Sequence, residues 1–352
     1  MDASVSNHIQ QLINDSGLLH SNTNSKKQYR SLDFSNDTIL ITGAAGSIGS
    51  ELTKQLVHSR YKKLILVDIA ESPLYELQQE LECKTEDVEF IILNITDKAS
   101  LKFIFESHQP TIVFHTAAYK HVPLMESIPY EAVKLNIMGT KLLADLSILY
   151  AVKKFIFIST DKAVNPISVM GMTKRIAERY LLQLHNQSQT KFIITRFGNI
   201  FGSSGSVVPL FLNQIHSGKP LTVTNKDVSR YFICKHKACN LILEIAAFEA
   251  SNPSVYTFNM GTPIKIMDLA KTLTTFYNED IAIKMTKIRP GEKLHENIVS
   301  KNESLIPTSH KDIMHVKINK EDALKPMNID ELFKLSPSNS ISEIKSTLKK
   351  YI

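Results

Sequence analysis

The chain has 352 residues, 43% hydrophobic and 22% charged, an ordinary composition for a globular protein with enough chain for one large or two modest domains. The 41 Lys and Arg against 35 Asp and Glu leave a net charge of +6, too mild and too scattered to point to nucleic acid but suited to a small anionic substrate. No apolar run approaches the roughly 20 residues of a membrane helix, and the polar start MDASVSNHIQQLINDSGLL carries no basic-then-apolar export signal, so a cytoplasmic protein is expected.

Residues 1–36 read as an N-terminal extension, a short amphipathic helix followed by the polar tether HSNTNSKKQYRS. Its simplest reading is loose packing, and a sharper one is an oligomer contact or an arm toward a membrane partner. From Thr38 onward, short β-branched runs alternate with longer helical stretches. The strands are TILIT (38–42), KLILVD (63–68), VEFIIL (88–93), TIVFHTA (111–117), KKFIFIS (153–159) and KFIITRF (191–197). Between them fall the helical stretches SELTKQLVHS, SPLYELQQEL, KASLKFIFES, VKLNIMGTKLLADLSILY and TKRIAERYLLQLH. Near-continuous apolar strands separated by helices predict an α/β fold, a Rossmann-type doubly wound parallel sheet covered on both faces. Residues 37–198 form that domain. Residues 199–352 read mainly as a smaller C-terminal substrate-binding lobe at the sheet's carboxyl edge, able to send segments back to the sheet. Ligands of open α/β sheets bind at that edge. The cysteines are Cys83, Cys234 and Cys239. CKHKAC lacks a second cysteine pair, so thiols in a reducing compartment are expected and no metal.

The first strand runs into GAAGSIG, with Gly43, Gly46 and Gly49 spaced for a tight turn, a backbone approach to a pyrophosphate and close helix packing. A strand before and a helix after supply the context that the motif requires. Ala45, Ser47 and Ile48 lie within the same cofactor loop. Asp68 ends the second strand, where a carboxylate grips ribose hydroxyls and repels a 2′-phosphate, which favours NAD over NADP. Asn94 and Ile95 are expected to end the third strand near the adenine. Ala117, Ala118 and Tyr119 follow the fourth strand toward the cofactor. The fifth strand ends in Ser159-Thr160-Asp161-Lys162, polar residues at the edge that faces the cleft. Lys174 lies on the next helix, with Met170 one turn earlier on the same face. A tyrosine usually stands at that earlier position, and a thioether neither donates nor accepts a catalytic proton. Lys174 can still hold the nicotinamide ribose.

GAAGSIGSEL, AAYKHVPLME, STDKAVNP, MGMTKR, RFGNIFGSSGSVVPLF and RPGEKLHE, in this order, resemble the nucleotide-sugar 4,6-dehydratases that act on UDP-N-acetylglucosamine, in the polysaccharide-biosynthesis branch of the extended short-chain dehydrogenases/reductases. The resemblance runs from about Thr38 to Val316. In that branch methionine typically replaces the tyrosine, so Met170 is a family trait. The resemblance implies oxidation at C4 with NAD, loss of water across C5 and C6, and return of hydride to C6. It makes Lys162 the base for C5 and Asp161 the acid for the C6 hydroxyl. Thr160 would hold the C4 oxygen, and Met170 would make an apolar contact. Neutral Lys162 beside protonated Asp161 is demanding, since each charged form stabilises the other, and side chains aimed at different substrate atoms would relieve it. Lys120 and His121 are implied to overhang the sugar and Asn199 to meet the diphosphate. Val207, Pro209, Thr222 and Arg230 would lie along the nucleotide, with Arg289 and Glu292 taking the diphosphate and uridine ribose. Met172, where many relatives have alanine, either narrows the pocket or packs neutrally. The motif context favours retention at C5, and a homo-oligomer, dimer or higher, is expected. Two alternatives stand beside this reading. One is a UDP-N-acetylhexosamine 4-epimerase, against which Met170 counts. The other is a catalytically silent NAD-binding regulatory protein, against which the intact Thr160-Asp161-Lys162 set counts.

Overall fold

In the computed structural model, the described residues are 3–17, 29–81, 87–185, 187–248, 254–277, 281–318 and 327–352. Most of the expected tether and Cys83 lie outside them. In chain order the strands are β1 (Asp33–Thr42), β2 (Arg60–Asp68), β3 (Val88–Ile92), β4 (Ile112–His115), β5 (Lys154–Thr160), β6 (Lys191–Phe197), β7 (Asn199–Phe201), β8 (Leu221–Val223), β9 (Ser229–Arg230), β10 (Phe232–Cys234), β11 (Ser254–Phe258), β12 (Ile264–Lys265), β13 (Ile283–Met285), β14 (Glu303–Pro307) and β15 (Ile313–Ile318). The helices are α1 (Ala3–Ser16), α2 (Ser47–Leu56), α3 (Glu71–Leu81), α4 (Lys98–His108), α5 (Val122–Ser127), α6 (Pro129–Ala132), α7 (Thr140–Leu149), α8 (Val169–His185), α9 (Val207–His216), α10 (Lys235–Ala247), α11 (Ile266–Phe276) and α12 (Ile341–Lys349). A wide helical turn, Val133–Gly139, joins α6 to α7.

One nine-stranded sheet runs β14-β15-β11-β6-β5-β4-β1-β2-β3. From β3 to β11 all pairings are parallel; β15 and β14 close the edge antiparallel. Alternation along each strand sends Leu40, Ile65, Val113 and Phe155 into one apolar layer and Ile39, Leu64, Phe114 and Ile156 into the other. The first strand begins five residues before TILIT, at Asp33, because its N-terminal half pairs with Arg60 and Tyr61 across an irregularity. The third strand ends at Ile92, short of Asn94 and Ile95. From the second half of the chain, β11, β14 and β15 extend the sheet, and α12 packs beside α8 and α6.

A third apolar cluster builds the smaller lobe from Phe211, Leu221, Phe232 and Leu269. The N-terminal helix belongs to it. Val5, Ile9, Leu12 and Ile13 recur at helical spacing, and Ile9 and Ile13 are fully buried. Loose packing is therefore the wrong reading of α1, whose apolar stripe completes the lobe's core. The CKHKAC run spans the end of β10 and the start of α10, with Cys234 and Cys239 buried as thiols. No helix among the described residues is long and apolar enough to cross a membrane.

Truncating a buried isoleucine costs about 2–5 kcal/mol. Ile13→Ala is expected to lower the unfolding free energy by that amount in denaturant titration. A change within about 0.5 kcal/mol, the range of surface substitutions, would show α1 to be detached.

Candidate active site

The parallel strands β1, β2, β4, β5 and β6 end along one edge at Thr42, Asp68, His115, Thr160 and Phe197. A cleft of about 560 Å³ opens there between the sheet and the smaller lobe. On one side stands the glycine turn. A Cβ on Gly49 would sit 2.1 Å from the Gly43 carbonyl oxygen, so only glycine lets α2 start that close to the turn. Asp68 Oδ2 accepts a hydrogen bond from Ala45 N and Oδ1 one from Ala70 N, both at 2.9 Å, so the carboxylate fixes the turn while each oxygen keeps a further lone pair. These features fit a dinucleotide: open amides at the α2 N-terminus for a pyrophosphate, and a carboxylate at the end of the second strand for ribose hydroxyls.

At the end of β5 the chain turns through Asp161–Ala163. Lys162 Nζ donates to Asp161 Oδ1 and to Asn199 Oδ1, both at 2.9 Å, and stands 4.0 Å from Glu296 Oε1. Thr160 Oγ1 also donates to Asp161 Oδ1, at 2.9 Å. Asp161 is fully buried, and its Oδ2 has no hydrogen-bond partner. The unpaired geometry that would relieve the Asp161–Lys162 conflict is thus not adopted: the two adjacent side chains form an ion pair behind the cleft wall. A lysine ammonium next to a desolvated carboxylate takes it as partner because the alternative is an uncompensated buried charge.

The wall beside this turn is α8. Glu126 Oε1 accepts from Val169 N at 2.7 Å and Ser168 Oγ from Gly171 N at 3.0 Å, satisfying amides in its first turn. A Cβ on Gly171 would lie 2.3 Å from the Lys162 carbonyl oxygen; glycine here lets the helix press onto the turn that carries Lys162. Met170 and Lys174 then share the cleft wall. Met172 is buried in the apolar core, which makes it packing rather than a pocket constriction. Lys174 is buried, with Nζ 3.8 Å from the centre of the Phe157 ring. Burial pushes its ammonium down to about 7, against the opposing pull of Glu178.

Two buried polar assemblies hold these pieces. In the first, Ser159 Oγ donates to Glu178, and Arg196 engages both Glu178 and Glu303 in two-pronged ion pairs. Burial pushes Glu178 up, but Arg196, Arg175 and the Ser159 hydroxyl outweigh it and bring the carboxyl down to about 2. In the second, Asn136 closes a two-way hydrogen bond with the backbone of Tyr119, N to Oδ1 at 2.9 Å and Nδ2 to O at 3.0 Å, and donates to Thr173. Thr140 spends its hydroxyl proton on the Asn136 carbonyl, so it accepts from His115 Nε2, leaving Nδ1 to accept from Thr42. Burial, and then Lys174, hold His115 far below its ordinary range, as a neutral imidazole.

Of the residues singled out from the sequence, Ser47, Ile48, Ala118, Tyr119, Lys120, His121, Thr160, Lys162, Met170 and Lys174 line the cleft, with Asn199, Val207, Thr222, Arg230, Arg289 and Glu292 from the lobe. Asp161, fully buried, is not among the lining residues, and neither are Gly43, Ala45, Gly46, Gly49, Asp68 and Ala117. Asn94 does not reach it: its Oδ1 is engaged by Thr96 N and Oγ1. Ile95 is core, against Gly139. Pro209 turns away because Val207 and Leu210, three apart on α9, form the cleft face. Arg230 directs three hydrogen bonds to the carbonyls of Ser229, Lys293 and Leu294, so it braces the RPGEK segment. Arg289 and Glu292 pair with each other, Nη2 to Oε1 at 2.6 Å. Glu126, Asn136, Gly171, Glu178, Arg196 and Glu296 were missed from sequence. The available signals were polar residues within apolar helices for Glu126, Asn136 and Glu178, a charge inside an apolar strand for Arg196, and a glycine inside a helical run for Gly171; Glu296, in an irregular segment, had none.

A family model described as polysaccharide biosynthesis protein matches residues 39–318. The capsular polysaccharide biosynthesis protein CapD of Staphylococcus aureus is 46% identical, over 78% of this chain and 47% of that protein. The chain therefore spans about half the length of this relative. A UDP-glucose 4-epimerase of Rickettsia rickettsii is 33% identical, over 82% of this chain and 85% of its own. Among solved structures, Pen from Bacillus thuringiensis aligns with a TM-score of 0.76 at 29% identity, covering 86% of this chain and 97% of that one.

The lowered Lys174 ammonium has a consequence for stability. The folded chain releases this proton near pH 7 and the unfolded chain only near the ordinary 10.5. Between those values the unfolded state binds more protons, so this group's contribution to folding stability rises with pH. Denaturant titrations without cofactor from pH 7 to about pH 9 are expected to show that rise, and Lys174→Met to flatten it. Parallel slopes in the two proteins would contradict the assignment.

Proposed function

Because the chain belongs to the polysaccharide biosynthesis protein family, we propose that it is an NAD-dependent 4,6-dehydratase, converting UDP-N-acetylglucosamine to the UDP-4-keto-6-deoxy-N-acetylhexosamine with retention at C5, as a step toward a surface polysaccharide. The observation that carries this reading is Met170 in the cleft wall, on the same helix face as Lys174, beside the Thr160-Asp161-Lys162 turn. A thioether cannot shuttle the C4 proton, while the ion pair offers a base and an acid for elimination.

The glycine turn, Asp68 and Lys174 would hold NAD, which supplies the hydride acceptor and donor. The paired geometry gives the proton a direct path between the charged and the neutral forms of the pair. Moving one proton across 2.9 Å, from Lys162 Nζ to Asp161 Oδ1, turns the ion pair into an amine and a carboxylic acid. The amine then takes the C5 proton. Asp161, buried behind Lys162 in the resting pair, would turn its acid group toward the C6 hydroxyl and protonate it, and the hydroxyl leaves as water. The ion pair is restored, with no net change in proton count. Thr160 steadies the C4 oxygen while Asn199 and Asp161 orient Lys162. Lys120 and Arg289 bring positive charge to the rim, suited to the diphosphate, while burial and these two cations hold His121 below its ordinary range, as a neutral hydrogen-bonding group.

A second reading, a 4-epimerase, draws on the likeness to the Rickettsia rickettsii protein. It differs in returning hydride to C4 and keeping the substrate's mass. Incubation with NAD and UDP-N-acetylglucosamine separates the two by mass spectrometry: loss of one water supports the dehydratase, and an unchanged mass with a new sugar supports the epimerase.

Lys162→Ala is expected to abolish water loss, by a factor of at least about 100 for a lost proton-transfer group, with NAD affinity unchanged by calorimetry. Near-normal turnover would remove Lys162 as the base. Met170→Tyr is expected to leave NAD binding intact.

A further inference from the structure

Glu296 closes the segment that begins at Arg289, and its side chain is only 4% exposed. It lines the cleft, 4.0 Å from Lys162 Nζ. Its Oε2 is buried and makes no hydrogen bond, although Lys293 Nζ stands 3.5 Å away. Lys293 itself donates to the Val164 carbonyl at 2.8 Å, which explains the poor alignment toward Glu296. A carboxylate with an unsatisfied oxygen in a nearly dry site is costly.

A lysine ammonium has three donors. Two of them on Lys162 go to Asp161 and Asn199, and Glu296 is the further anion facing that nitrogen. We infer that Glu296 is a positioning residue for the Asp161–Lys162 pair: it acts through Lys162, and its charge sets the pH range in which the pair holds the single proton that elimination uses. The charged groups in this neighbourhood include Asp161 on the same turn, Glu296 and Lys293 on the 289–296 segment, and Arg230 of β9, which holds the Lys293 and Leu294 carbonyls. Neutral Asn199 comes from β7, and α8 adds Lys174 to the same cleft. Glu296 also shares its segment with Arg289 and Glu292, so the stretch proposed to hold the nucleotide carries the charge that conditions the base.

This inference rests on the dehydratase reading for its kinetic arm only. A coupled pair titrates as a unit, so deleting the neighbouring negative charge shifts both limbs of its one-proton range the same way. Glu296→Gln is expected to move both limbs of the kcat/KM profile for UDP-N-acetylglucosamine to lower pH by about one unit or more, the effect of a unit charge about 4 Å away at the edge of a protein. KM at the optimum should change less than threefold. Glu296→Asp, which keeps the charge, should retain the wild-type limbs. Lys293→Gln removes the competing cation and should move the limbs upward, which keeps the test open if Glu296→Gln does not fold.

A second arm needs no turnover. Competitive labelling of the whole protein with acetic anhydride, read peptide by peptide by mass spectrometry, reports the pH at which Lys162 becomes a free amine. That pH should fall in Glu296→Gln and rise in Lys293→Gln. If the wild-type enzyme does not dehydrate the substrate but the labelling shifts appear, the functional reading fails and the role of Glu296 stands. Labelling curves that coincide across the variants would overturn it, as would lower activity with unmoved limbs.

Discussion

A fully buried arginine, held between two carboxylates, organises this molecule. Arg196 at the end of β6 grips Glu178 on α8 and Glu303 on β14, and Glu178 in turn receives the Ser159 hydroxyl from β5. Four elements from distant parts of the chain are thus fastened at one point beneath the sheet's carboxyl edge. Removing one member of such a cluster leaves a buried charge unmatched, at a cost of about 3–5 kcal/mol, whereas the intact set is fully satisfied. The return strand β14 is part of the fastening, so the second half of the chain is bound to the first by charge as well as by β-pairing.

The residues of the cleft are the sequence neighbours of that fastening. Thr160, Asp161 and Lys162 follow Ser159. Lys174 lies one helical turn before Glu178. Asn199 comes three residues after Arg196. Rigid anchoring just behind the site limits how far each side chain can drift, which is the condition that proton transfer across about 3 Å demands. The close approach at Gly171 adds a second constraint, bringing α8 onto the carbonyl of Lys162.

Two of the cleft's lysines illustrate how environment divides one residue type into two states. Lys174 lies over an aromatic ring in an apolar pocket, and desolvation dominates. Lys162 faces two carboxylates and an amide oxygen and is held as a partner in an ion pair. In the proposed dehydratase the first would bind cofactor and the second exchange a proton. Behind them, the chain Thr42–His115–Thr140–Asn136 has a single consistent set of donors and acceptors, and it ends on the backbone of Tyr119, at the mouth of the cleft.

Hydrophobic periodicity and glycine spacing by themselves determined the parallel sheet, its alternation with helices, the glycine turn and the polar turn after the fifth strand. These are local: a strand or a phosphate-binding turn is written in a few adjacent residues. The N-terminal helix was legible as amphipathic, but its burial was not, since Ile9 and Ile13 find their partners in Phe211, Phe232 and Leu269, some 200 residues on. Asn94 and Ile95 lay beyond the strand they were expected to end because a side chain closing its own turn competes with the ladder. Glu178, Arg196, Asn136 and Glu296 carry no local signal of a site in the sequence beyond the polarity of the first three within apolar elements. Only the tertiary structure brought them together, because whether a charge is buried and who answers it depends on contacts that no short stretch of chain contains.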